Sequence, residues 1–231
     1  LTGNIATTPS NLHVTPLISV ALDFDDSNAH EITVAALPQG NRPNNGIDWA
    51  PLDGLQISSV IQNGGFTKMG DGVLYLTGNN TFTGQLTVAE GVLNVNAVNN
   101  INANGRLGNS ALPVILGDTG KTGTLEYSAN NNPVFNKPFT LATDGTGAFQ
   151  IDWSIRTTTL SGNINGDGDF LKTGPGTLSL TGAKTYTGDT HVEVGTLKIN
   201  NAYLDAGADV YLTSGAVFQL DYSGSNDVSA L

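Results

Sequence analysis

The sequence predicts an all-β fold wound as a parallel β-helix, or β-solenoid, and three observations carry that expectation. Residues 64–96 (GGFTKMGDGVLYLTGNNTFTGQLTVAEGVLNVN) and 168–200 (GDFLKTGPGTLSLTGAKTYTGDTHVEVGTLKIN) align without a gap and agree at about half of their positions, so the chain is built from a repeated unit. Inside each copy the apolar residues alternate. Leu74 and Leu76 face one way and Val73, Tyr75 and Thr77 the other, and Leu178 and Leu180 repeat the pattern. Glycine then breaks the run roughly every five to eight residues, without the two-residue hairpin signals of a meander. Strands this short, cornered by Gly or Asn, suit coils in which each rung stacks on the one before it and supplies two or three strands.

Taken in order, residues 1–63 are read as N-terminal rungs. They hold most of the prolines, and their apolar runs at 17–22 and 55–61 are short enough to be strands. Between them, residues 37–53 (LPQGNRPNNGIDWAPLD) read as a loop leaving the main body, because Pro, Asn and Gly cluster there; Trp49 is its expected anchor. Residues 64–160 carry the first repeat and the rungs after it. Its strand ends at the turn Gly78-Asn79-Asn80, a Thr-rich strand follows, and Val88, Leu93 and Val95 are the next apolar positions. Residues 161–231 carry the second repeat, with Gly182-Ala183-Lys184 at the turn and Val192, Leu197 and Ile199 beyond it, in one continuous solenoid. At roughly 20 to 25 residues per rung the chain makes about ten rungs, a rod on the order of 50 Å long.

Composition agrees. Of 231 residues 29 are Gly, only 13% are charged and 7% aromatic, which favours many tight turns over long helices. The formal net charge of −11 repels phosphate backbones and anionic membranes, so nucleic acid is excluded as a partner; the acidity reads as a solubility device, with cation binding as the alternative. With no cysteine, disulfides, thiol chemistry and Cys-based zinc sites are excluded. No segment approaches the roughly 18 continuous apolar residues of a membrane span. The chain opens on Leu1 and reads as a piece of something longer, with any signal or membrane anchor outside it.

The pattern G-x-F/L-x-K-x-G-x-G-x-L-x-L-T-G-x-x-T-Y/F-T-G-x-T-x-V-x-x-G-x-L resembles the autotransporter-associated β-strand repeat, also called the passenger-associated transport repeat. Lys68, Gly70, Gly72, Leu74, Leu76, Thr77, Gly78, Thr81, Phe82, Thr83, Gly84, Val88, Gly91 and Leu93 carry it in the first copy. In the second, the corresponding residues run from Lys172, Gly174 and Gly176 through Leu178, Leu180, Thr181, Gly182, Thr185, Tyr186, Thr187 and Gly188 to Val192, Gly195 and Leu197. The likeness extends from about residue 60 to the C-terminus. It implies a right-handed parallel β-helix in a secreted or outer-membrane-associated bacterial surface protein, exported as the passenger of an autotransporter. It implies no activity, since one scaffold hosts many functions.

Each candidate site has a structural competitor. Asp23, Asp25, Asp26, Ser27 and Asn28 alternate oxygen ligands as a calcium loop does, but the central Gly is missing and Val34 stands where a bidentate Glu belongs, so a solvated strand edge is preferred. Asn165-Gly166-Asp167-Gly168-Asp169 reads as a corner before the repeat strand. Pectin-cleaving β-helix enzymes pair acids with Gly-His-Gly and Arg-x-Lys segments, which this chain lacks, and Arg42, Arg106 and Arg156 lie apart from its acidic clusters. His13, His30 and His191 have no Gly-x-Ser-x-Gly elbow to serve, and His191 falls on an exposed strand face. Lys68 and Lys172 read as turn caps or cross-rung partners. Asn94, Asn96, Asn100, Asn102 and Asn104 read as ladders or corners, an amide-rich groove for sugar being the alternative. Positions where the copies differ, Thr87 against His191 and Asn80 against Lys184, are expected at solvent or a partner.

The sequence therefore assigns no catalytic, cofactor or metal-binding residue. It points to a non-catalytic structural and adhesive segment of a surface-displayed bacterial protein, contacting glycan, matrix or another copy of itself. The alternatives are a carbohydrate-active β-helix enzyme (a polysaccharide lyase or hydrolase), with acids from 23–26 and 144–152 lining its groove, and a calcium-dependent surface assembly protein.

Overall fold

The computed structural model describes residues 3–8, 15–24, 30–36, 54–201, 205 and 207–222; His13, Trp49, residues 25–28 and the 37–53 stretch lie outside them. Every strand pairing between named strands is parallel and joins one turn of the chain to the next, so the fold is a β-solenoid. Among the described residues its first face has eight strands, from Ile5–Thr7 to Lys184–Tyr186, and its second has nine, from Leu17–Ile18 to Val210–Leu212. The third face is regular only in its upper half, where five strands run from Val134–Phe135 to Val217–Leu220. Lower down, Leu22–Asp23 pairs with Ile61–Gln62.

The described residues make eight rungs and the opening of a ninth, where about ten were expected, which gives a stack about 40 Å tall at the usual strand spacing. Rung length explains the difference. First-face strands begin at residues 5, 30, 66, 86, 114, 139, 164 and 184, so a rung takes 20 residues where the repeats are tightest and 25 to 36 elsewhere.

Alternation sorts the strands as the sequence suggested: Leu74 and Leu76 are wholly buried while Val73, Tyr75 and Thr77 are half-exposed. Inward residues stack rung on rung. Phe24, Phe66 and Phe82 form one aromatic column, and Phe135, Phe139, Phe149, Phe170 and Tyr186 form a second, with neighbouring ring centroids 5.0–6.3 Å apart. Leu86, Val88, Leu93, Val95 and Leu107 fill the rung between the columns.

The two repeats occupy different faces. In the first copy, Phe66–Met69 lies on the first face and Val73–Leu76 on the second. Their counterparts Asp169–Thr173 and Thr177–Leu180 lie on the second and third faces, so the copy has rotated by one face along the stack. The repeat thus specifies a local pair of strands and the corner between them.

That corner is closed by the shared lysine. Lys68 is fully buried, and its Nζ donates to the carbonyls of Met69 (3.2 Å), Gly70 and Glu90 (2.9 Å). Lys172 does the same to Thr173 (2.7 Å), Gly174 (2.8 Å) and Val194 (3.1 Å). Each ammonium binds its own corner to the next rung, the cross-rung role expected of it. The neighbouring corner needs glycine: Gly195 has φ +74°, and a Cβ there would lie 2.5 Å from the Gly174 and Gly176 carbonyl oxygens.

One expectation fails. Asn80 and Lys184, placed at solvent by their variability, are buried. Asn80 accepts from the Ile61 amide (2.9 Å) and donates to the Arg106 carbonyl (3.0 Å), while Lys184 donates to the Gly182 carbonyl (3.2 Å) and to Asn201. Each copy meets the unpaired backbone polar groups of its own corner with a different side chain, because those groups differ with the length of the adjoining rung.

Candidate functional site

The acids and amides named from the sequence are mostly spent on the fold. Asp23 accepts from Gln62 Nε2 (2.9 Å) and Asn63 Nδ2 (2.6 Å) of the next rung. Asp169 accepts from the Asp189 amide (2.9 Å) and Asp189 from the Asp209 amide (2.8 Å), a carboxylate ladder up one corner. Asp167 bridges Thr143 and Thr187 (both 3.3 Å). Asn100 and Asn136 exchange backbone-capping bonds with each other's segments. His30 is buried and stacked on Phe24 at 4.6 Å, and His191 is stacked on Tyr211 at 4.7 Å. Among the described residues no group of three or more His, Cys, Asp or Glu is placed to hold a metal ion.

Asn99, which the sequence reading did not single out, organises the insertion in the fourth rung. Its Nδ2 reaches the carbonyls of Asn100, Ala103 and Gly108, and its Oδ1 accepts from the Leu107 amide. Lys137 then ties Gly108 and Ser110 to the rung above (3.0 and 2.8 Å).

A cleft of about 450 Å³ remains at the corner between the second and third faces, lined by Ser128, Asp152, Trp153, Ser154 and Pro175. Its origin is a mismatch of corner lengths. The sixth rung takes residues 152–156 to turn from Thr146–Ile151 to Thr157–Leu160, whereas the seventh turns in three, Gly174-Pro175-Gly176. The longer corner forms a shelf beneath the shorter. Trp153 is fixed on it by Nε1 donating to the Ser128 carbonyl (2.9 Å), yet remains 43% exposed, and Ile155 beside it is 75% exposed.

Behind the shelf a polar row crosses the second face in register, Asn94, Glu126, Gln150 and Thr173. Glu126 and Asp152 lie within hydrogen-bonding reach of each other. Burial, and then the Asp152 charge, push the Glu126 carboxyl up to about 8, so the pair holds a proton at neutral pH. Burial raises Asp152 as well, opposed by Gln150 Nε2 donating at 2.9 Å, by Glu126 and by Lys172. Burial lowers Lys172 to about 7, with all three of its donors on carbonyls. Carboxyls in mutual contact are unlike the acid and nucleophile of a retaining glycosidase, which flank the scissile bond about 5 Å apart. Asp23 belongs to the first rung and Asp152 to the sixth, so the groove expected from 23–26 and 144–152 together is not formed between those two acids.

The passenger-associated-transport-repeat model matches residues 66–95 and 170–199, the two strand–corner–strand units closed by Lys68 and Lys172. Two segments of the chain are thus similar to the passenger-associated transport repeat. A further likeness reaches beyond the repeats: 150 residues, 63% of the chain, are 32% identical to "Adhesin BmaC autotransporter" of Brucella suis biovar 1 (strain 1330). The chain spans 4% of that relative's length. No solved structure matches this passenger-repeat chain.

Proposed function

We propose that the chain is a rigid, non-catalytic segment of a bacterial autotransporter passenger, displayed at the cell surface or released from it, and that it takes part in adhesion to glycan, matrix or a neighbouring copy. The observation that carries the reading is the stack of parallel rungs built on two passenger repeats, over a stretch that is similar to an autotransporter adhesin. The stack supplies stiffness, since its rungs are held by strand ladders and, at the two repeat corners, by buried lysines, and its outward polar side chains supply contact surface. Purified chain on latex beads, presented to glycan arrays, to matrix proteins and to itself, is expected to bind at least one of them saturably. Failure on all three would reduce the segment to a passive spacer.

A further inference from the structure

We propose that the cleft between Trp153 and Pro175 receives a cationic side chain of a partner protein, an arginine, with its guanidinium against the Asp152 carboxylate and its plane on the Trp153 indole. The proposal goes beyond the adhesive reading and stands apart from it, because a chain that binds no cell surface still presents this cleft.

Three features select a cation. The cleft is walled by Trp153 and Pro175, and its ionisable lining group is an acid, Asp152. An aromatic face beside a carboxylate suits a guanidinium, which stacks on the ring and donates two parallel bonds to the acid. Asp152 is desolvated, and an incoming cation relieves that cost where a neutral hydroxyl does not. The chain's net charge of −11 draws cations toward it and repels anionic ligands. Ser128 and Ser154 provide hydroxyls at the rim.

The charged and titratable groups acting on Asp152 are Glu126 and Lys172, and both change over the same range. Glu126 holds a proton up to about 8 and Lys172 holds one up to about 7. As pH rises from 6 to 9 the pair gains a negative charge and the neighbouring ammonium is lost, so arginine binding strengthens with pH.

The test uses the whole chain carrying Trp49→Phe, which leaves Trp153 as its one tryptophan. Trp153 emission is titrated with acetyl-Gly-Arg-Gly-amide, with the uncharged citrulline peptide of the same shape, and with methyl glucoside. The expected result is saturation by the arginine peptide about tenfold tighter than by citrulline, weakened at least about tenfold by Asp152→Asn. Glu31→Gln removes one exposed acid on the first face, four rungs from the cleft, and should leave binding unchanged, which separates the cleft from the general field. Thermal melts of each variant confirm folding, and Trp153→Phe retains partial binding by calorimetry. Equal binding of citrulline or of the glucoside, equal loss in Glu31→Gln, or no saturable change with arginine at pH 9 would each overturn the proposal.

Discussion

A lysine with all three protons on main-chain carbonyls is a structural part, and its chemistry follows from that. Lys172 offsets the cost of three buried carbonyls but carries a buried charge of its own. Lys172→Met keeps the stem and orphans the acceptors, so a loss of about 2 kcal/mol or more is expected in urea unfolding at pH 7. Its pKa falls from the ordinary 10.5 to about 7 in the fold. Between those values the unfolded chain binds more protons, so this group makes stability rise with pH from about 7 to 10.5, and below 7 its penalty is fully present. Lys68, Lys137 and Lys184, each lowered to about 8 by burial, add the same sign. Glu126 opposes them. Its pKa rises from 4.5 to about 8, so its contribution is intact below 4.5 and is lost as pH climbs through 8. Glu126→Gln should therefore change stability little at pH 4.5 and raise it by roughly 1 to 3 kcal/mol at pH 9, read from urea midpoints at the two pH values.

At the scale of the strand and its corner, the repeat was legible in the sequence because corners impose the narrowest demands. Gly195 sits at positive φ against two carbonyls, and only glycine meets both conditions. Gly215 also has positive φ, +88°, but its Cβ would meet nothing within 4 Å. Gly195→Ala is expected to cost about 3 kcal/mol or more and Gly215→Ala only about 1, and the difference between their melting curves isolates the steric term. The shared lysines could be read as cross-rung partners because both copies carry them. Asn80 and Lys184 could not: two side chains doing one job look like a variable surface position. The Trp153 cleft was equally hidden, since it comes from a five-residue corner lying beneath a three-residue one, a comparison between rungs that the sequence does not align.

Across the whole molecule, the same cause miscounted the rungs. The period of the tight repeat, extended along the chain, ignores the insertion around Asn99 and the long corners of the middle rungs. Stability in such a stack is close to a sum of neighbour terms, so rungs with a neighbour on both sides open least. Hydrogen exchange should be slowest between residues 66 and 199 and fastest in Ile5–Thr7 and Val217–Leu220; uniform protection throughout would instead mean that the stack opens all at once.

The one-face rotation between the repeats also decides how the rod meets its surroundings. Thr83 and Thr187 are the same exposed threonine of the motif, yet they stand on different sides of the shaft. A binder that recognises the motif's outer surface meets it at two compass bearings and cannot cover both with one flat footprint. Molecules linked through such a binder would join at angles and grow into a branching mesh, where a straight row of identical sites would have paired them side by side.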